Sequence, residues 1–249
     1  LMAFARRHGL KVIEDCAQAH GAKDNGAPVG GIGDIGCFSF CQDKIITTGG
    51  EGGMVVTNDT AAFERMWTYR DHGKNFTRAQ AADPSPGFKW LVDSFGTNWR
   101  LTEPQSAVGR LQLGKLDGWV EARRRNARTI DEALDGLNAV TVTRPSARSY
   151  HAYYKHYCFI VPEALKSGWT RDRICAELDA RGVPARVGAC PDIAMEKAFS
   201  GPYAGQPEHP NALRIAGATL MLPVHPTLTP EDIDAIANSA RDVIREATR

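Results

Sequence analysis

Lys44 is the residue whose surroundings would change its chemistry most. It stands in a turn-like, glycine-flanked segment beyond an apolar run. A lysine partly desolvated there has a lowered ammonium pKa, and its free amine is a nucleophile. Such an amine can form a Schiff base with an aldehyde cofactor. Taken alone, Lys44 reads more simply as a surface lysine. Asp15 ends an earlier apolar run, at the strand edge where ligands of open α/β sheets bind. A carboxylate there can hold a protonated ring nitrogen and so make the ring an electron sink. Taken alone, it reads more simply as an aspartate capping the next turn. Ser39 lies near the end of the run that leads to Lys44. Gly49-Gly50-Glu51-Gly52-Gly53 follows, and four glycines in five residues permit positive φ and close backbone approach. That run is either a loop packed on the lysine turn or a plain hairpin linker. It is not a P-loop, because no Gly-Lys-Ser/Thr opens a helix after it.

The elements that must position these residues follow from patterning. Residues 1–8 read as the end of a helix closed by Gly9. Leu10 to Glu14 reads as a short buried strand ending at Asp15, Ile35 to Phe40 as a second strand and Gly53 to Thr57 as a third. Asn58-Asp59 can cap a helix over residues 60–69. Helices between short apolar strands predict an α/β layered domain with a mainly parallel sheet. Residues 72–98, with Pro84, Pro86, Gly87 and Gly96, read as a long functional loop. Thr102 opens a helix with Glu103 and Pro104 in its first turn. A charged helix follows over residues 116–137, its Arg123-Arg124-Arg125 run reading as a solvated face.

Beyond it, strands are expected over residues 140–143, 155–161 and 183–187, and helices over 170–181 and 229–247. In the last helix Ile233, Ile236, Ala237, Ala240, Val243 and Ile244 make one apolar face. This is an α+β C-terminal domain. The boundary falls within the charged helix, dividing residues 1–125 from 126–249.

The 249 residues carry 30 Lys plus Arg against 29 Asp plus Glu, which gives no electrostatic case for nucleic acid or an anionic membrane. No apolar run is long enough to span a bilayer. Cys16, Cys37, Cys41, Cys158, Cys175 and Cys190 form no C-x-x-C pair and read as reduced, largely buried thiols of a cytoplasmic protein. They are too dispersed for a zinc site, and no metal is expected. His20 reads as a packing or hydrogen-bonding residue and His225 as a structural one. His72 precedes the long loop and is given no role.

Five blocks resemble the DegT/DnrJ/EryC1/StrS family, the sugar aminotransferases: VIEDCAQAH from Val12, GDIGCFSFCQDK from Gly33, TTGGEGGMVVTND from Thr47, GTNWRLTEPQ from Gly96 and LPVHPTLT from Leu222. They stand in the family's order over essentially the whole chain. The resemblance implies a fold-type I, pyridoxal-phosphate-dependent transferase, with residues 1–125 as part of the cofactor-binding large domain and 126–249 as the small domain. It implies that Lys44 is the Schiff-base lysine and catalytic acid/base, and that Asp15 is the partner of the pyridine nitrogen. Gln18 matches a side chain near the cofactor's phenolic oxygen, and Ser39 a hydroxyl that meets its phosphate. Asn98 matches an asparagine that reaches the phosphate in the neighbouring subunit, so a homodimer with shared sites is implied. The activity implied is transfer of an amino group, from glutamate by family analogy, to a keto sugar on a nucleotide diphosphate. The setting implied is cell-surface polysaccharide or secondary-metabolite sugar biosynthesis.

Two features depart from the family pattern. The chain opens at Leu1 inside a helix, without an initiator Met, so a longer natural protein and an incomplete site are expected; a piece that folds poorly and binds nothing is one alternative. Ile45 follows the lysine where many relatives have Asn. Alternatives are a related sugar dehydratase, in which the lysine is typically replaced by His, and a non-catalytic cofactor-binding regulatory module. Lys44 argues against the first, and retention of both Asp15 and Lys44 against the second.

Overall fold

The computed structural model describes residues 1–81, 85–188, 192–199 and 209–249; Pro84 and Cys190 lie outside them. In chain order the elements are α1 (Met2–Arg7), β1 (Ile13–Asp15), β2 (Lys23–Asp24), β3 (Ala27–Pro28), β4 (Ile35–Ser39), β5 (Gly53–Thr57), α2 (Thr60–Arg70), α3 (Phe76–Gln80), α4 (Glu103–Leu113), α5 (Leu116–Leu134), β6 (Val140–Val142), β7 (Ser149–Tyr150), β8 (His156–Ile160), α6 (Arg171–Ala180), β9 (Arg186–Val187), α7 (Pro210–Ala218), β10 (Thr219–Leu222) and α8 (Pro230–Ala247). They form two compact units, Leu1–Asp117 with Ala147–His151, and Gly118–Ser146 with Ala152–Arg249.

The first unit holds a three-stranded sheet in the order β1-β4-β5. β1 pairs with β4 in parallel, whereas β5 pairs with β4 antiparallel. The sheet within this chain is therefore mixed. The glycine-rich connection from β4 to β5 contains no helix, and a chain that returns without a crossover comes back antiparallel. β1 is shorter than expected and not buried, with Ile13 65% exposed. Among the described residues it has one partner strand, β4. A small sheet, β3-β2-β7, belongs to the same unit. The Asp59 side chain caps α2 by accepting from the Ala62 N–H at 3.0 Å. The long segment after α2 is not structureless. It contains α3 and is bridged back on itself at Asp71–Asn98 and Lys74–Val92, which satisfies backbone groups that a bare loop would leave to water.

The second unit is built on an antiparallel sheet in the order β6-β8-β10-β9. Its core joins Ala127, Ile130 and Leu134 of α5 to Cys158, Ile160, Leu220 and Leu222 of the sheet, and to Ile174 and Leu178 of α6. All six residues expected on the apolar face of α8 are buried there. A capping box closes the start of α8: Thr229 Oγ1 accepts from the Asp232 N–H, and Asp232 accepts from the Thr229 N–H. Arg123 departs from the solvated face expected of it and is buried. Its position on the inward stripe of α5, with Val120, Ala127, Ile130 and Leu134, takes it inside.

Cys16 and Cys158 are buried free thiols, and Cys37, Cys41 and Cys175 are half-buried free thiols. Burial pushes Cys16 up to about 11 and Cys158 up to about 12, which keeps both protonated. No helix among the described residues is long and apolar enough to cross a membrane. No group of three or more His, Cys, Asp or Glu among them could hold a metal ion.

Candidate active site

Glu14 and Asp15 end β1 on opposite faces, as the two-residue period of a strand requires. The Glu14 carboxylate turns toward the 30–33 loop and accepts three backbone N–H bonds, from Gly30 at 2.8 Å, Ile32 at 2.8 Å and Gly33 at 2.6 Å. Burial raises its pKa, and the three donors outweigh that and hold it below the ordinary glutamate value. Glycine is needed in this loop. Gly30 has φ +90°, and a Cβ on it would lie 2.6 Å from the Phe38 ring. Asp15, on the other face, is exposed and registered against Cys37 of β4. One of its oxygens caps the following turn through the Ala17 N–H at 3.0 Å. The other has no donor among the described residues.

β4 ends at Ser39, whose Oγ accepts from the Cys41 N–H at 3.3 Å. The chain then turns, with the Lys44 N–H donating to the Cys41 carbonyl at 3.0 Å. The turn is pinned beyond the lysine. Ile45 and Ile46 are buried, and Thr47 N–H donates to Gln112 Oε1 at 2.9 Å. The glycine run returns against the same turn: Phe40 N–H donates to Gly52 O at 2.7 Å, and Cys41 bridges Gly50. Gly49 and Gly50 have positive φ, and a Cβ on Gly52 would lie 2.4 Å from Thr48 Oγ1. The run is thus both the link between β4 and β5 and a loop packed on the residues that flank the lysine turn.

The Lys44 side chain is only 15% exposed and does not point into open solvent. The carboxylate of half-exposed Asp43 lies 3.7 Å from its Nζ. Asp15, Ser39 and Lys44 all stand at the carboxyl edge of the β1–β4 pair. His20 is packed into the same edge. It is 2% exposed, and its ring lies 5.5 Å from Phe38 and 6.0 Å from Phe40 between centroids. Neither ring nitrogen makes a well-formed hydrogen bond among the described residues, although the Ser39 backbone lies beside the ring. Burial holds its pKa below the ordinary histidine value, the Ser39 backbone opposes this, and the Lys44 charge adds to it. The imidazole therefore sits there neutral.

Gln18 is exposed, and its amide makes no hydrogen bond among the described residues. Asn98 stands apart from the lysine turn, at the C-terminal end of α2, where it bridges Asp71. Its Oδ1 accepts from Arg100 Nε at 3.1 Å. His225, in the second unit, bonds through Nδ1 to Thr227 Oγ1 at 2.7 Å, as a structural histidine does.

A sheltered amine, a carboxylate with one open oxygen and a hydroxyl share one sheet edge with a buried imidazole. This donor set fits an aldehyde cofactor with a protonatable ring nitrogen and a phosphate.

The profile of the DegT/DnrJ/EryC1/StrS aminotransferase family matches residues 1–241, and the chain belongs to that family. It is 34% identical over 241 residues to the UDP-N-acetyl-3-dehydro-alpha-D-glucosamine 3-aminotransferase of Acidithiobacillus ferrooxidans, covering 97% of this chain and 59% of that protein. It is 35% identical over 249 residues to the GDP-perosamine synthase of Caulobacter vibrioides, covering 98% of this chain and 62% of that protein. An aminotransferase structure from Psychrobacter cryohalolentis superposes with a TM-score of 0.93 at 44% identity, covering 99% of this chain and 65% of that one. The chain thus spans less than two thirds of the length of each.

Proposed function

We propose that this chain is the larger part of a pyridoxal-phosphate-dependent transaminase that aminates a keto sugar carried on a nucleotide diphosphate. The observation that carries the reading is the sheltered Lys44 amine, held on a pinned turn at the sheet edge that also bears Asp15. When bound, pyridoxal phosphate supplies an aldehyde that joins an amine and a ring that draws electrons from the adjoining carbon. Lys44 is the group that joins it and that carries the proton between carbon atoms. Asp15 keeps the ring nitrogen protonated through its open oxygen. The Ser39 hydroxyl meets the phosphate, and Gln18 stands near the phenolic oxygen. Asn98 serves the phosphate in a second subunit. Residues 1–125 carry the cofactor and residues 126–249 form the smaller domain.

The names of the two relatives, one a UDP-sugar aminotransferase and one a GDP-sugar synthase, support a nucleotide-sugar substrate. Glutamate is the proposed donor, and synthesis of cell-surface or secondary-metabolite sugars in the cytoplasm is the proposed setting. A homodimer is supported by the aromatic residues left uncovered on the segment that bears Asn98. Phe88, Trp90, Phe95 and Trp99 are all largely exposed, Phe95 99% so. An apolar surface of that extent marks an interface, and a second copy placed there would bring Asn98 to its neighbour's phosphate.

The test is covalent. The full-length protein mixed with pyridoxal phosphate should turn yellow, and borohydride should fix the label on the peptide containing Lys44. Glutamate should bleach the band, and Lys44→Ala should neither absorb nor retain label. Label on another lysine, or none, would remove the assignment.

A further inference from the structure

Asp71 is the most buried acid of the first unit among the described residues, and it lies outside the lysine turn. Its side chain is 9% exposed. It caps the C-terminal end of α2, where its N–H donates to the Trp67 and Thr68 carbonyls. The chain leaves it through His72 at φ +60° and Gly73 at φ +76°. There it crosses the 94–97 segment so closely that a Cβ on Gly73 would lie 1.7 Å from the Ser94 carbonyl oxygen. A position this constrained holds its carboxylate in one place. Two cations converge on that carboxylate: Lys74 Nζ at 3.1 Å and Arg100 Nε at 3.5 Å from Oδ1. Arg100 Nε also donates to Asn98 Oδ1 at 3.1 Å, and an Arg100 Nη lies 3.5 Å from His72 Nε2.

A guanidinium can only donate. The Asn98 amide must therefore present its oxygen to Arg100, and its Nδ2 group is left facing the other way. Nothing among the described residues accepts from that Nδ2. Without the guanidinium the amide would be free to turn over and offer a repelling oxygen to an anion.

We propose that Asp71 is a positioning residue, which acts through Arg100 to fix the Asn98 amide with its N–H donors presented to a phosphate. This rests on the reading of Asn98 as a phosphate ligand, and the experiment separates the two. Dissociation constants of pyridoxal phosphate and of phosphate-free pyridoxal are measured by absorbance on the full chain. The variants are Asn98→Ala, Asp71→Asn and the double variant.

The expected result is that Asn98→Ala weakens pyridoxal phosphate by about tenfold, as loss of a hydrogen bond to a charged group should, and leaves pyridoxal unchanged. Asp71→Asn should weaken pyridoxal phosphate several-fold in the same selective way, and should cost nothing further once Asn98 is gone. Arg100→Gln, at a more exposed position, should reproduce Asp71→Asn and serves if that variant does not fold. Equal weakening of both compounds by Asp71→Asn and Arg100→Gln, or a full additional loss in the Asn98→Ala background, would reduce Asp71 to a structural residue. An Asn98→Ala variant that still prefers the phosphorylated compound as the parent does would defeat the assignment of Asn98 and this inference with it. Failure of the unaltered chain to bind either compound would defeat the cofactor reading itself.

Discussion

Two adjacent carboxylates in β1 have separate duties because a strand sends neighbours to opposite faces. Asp15 has one oxygen in a turn and one open, so Asp15→Asn keeps the turn and loses the charge. The variant should melt within about 1 °C of the parent, while turnover in the full-length protein falls on the order of 10²-fold or more, the scale for losing a preorganised electrostatic partner. Glu14 should behave in the opposite way. Its pKa is lower in the fold than in an unfolded chain, so its contribution is complete above the ordinary value of about 4.3 and is lost as pH falls through the folded value. Glu14→Gln should cost about 2–3 kcal/mol at neutral pH, since hydrogen bonds to charged groups are lost. Urea titrations should then show a shallower loss of stability below pH 5 than the parent shows. That Asp15 and Ser39 would close neighbouring strands, with Lys44 on the turn beyond, was legible from the apolar runs, whereas the roles expected of Asp15 and Lys44 came from the family resemblance and not from residue type. Glu14 was not, because its donors are backbone groups of a loop that only the fold brings within reach.

At the scale of elements, the period of α8 was legible down to each buried residue, since one amphipathic helix on one core follows its pattern directly. α5 was read less well. Its Arg run looked like surface, but Val120, Arg123, Ala127, Ile130 and Leu134 are spaced by three and four, and that stripe was the available signal. Arg123 Nη1 donates to the carbonyls of Tyr153 at 3.3 Å and Tyr154 at 3.0 Å, where Tyr153 has φ +47°. Burial pushes the guanidinium down to about 10, against the opposing effect of Tyr154, so it stays charged at neutral pH. Arg123→Met keeps the apolar stem and leaves two carbonyls without a donor. Its free energy of unfolding should fall by about 2–4 kcal/mol in chemical denaturation. An unchanged midpoint would mean that water replaces the guanidinium. The brief, exposed β1 was misjudged for a different reason: edge exposure is decided by which strands lie alongside, and the local pattern does not carry it.

For the whole molecule, the contrast between the units is the main lesson. The second closes a continuous apolar core, whereas the first leaves Phe88, Trp90, Phe95 and Trp99 uncovered. If a second copy covers them, Trp90→Asp and Phe95→Asp together should convert the full-length protein from dimer to monomer in sedimentation equilibrium. The same change should weaken cofactor retention, because Asn98 lies on that segment. A dimer that survives both charges would place the interface elsewhere. Composition and charge were enough to set aside a case for nucleic acid or an anionic membrane. They said nothing of how the chain divides, because the division depends on residues 147–151 leaving one unit for the other.

That excursion restricts how the molecule can be dissected. β7 lends residues 149–150 to β2, and Arg148 is paired with Asp24 beside it, Nε to Oδ1 at 2.5 Å. The polypeptide passes from one unit to the other three times, at 117/118, 146/147 and 151/152. A single nick after Asp117 therefore cannot free a complete first unit. The amino-terminal piece would lack a strand that is still fused to its neighbour, and a gene cut at that point would encode one polypeptide short of a strand and another that carries the second unit together with that stranded segment.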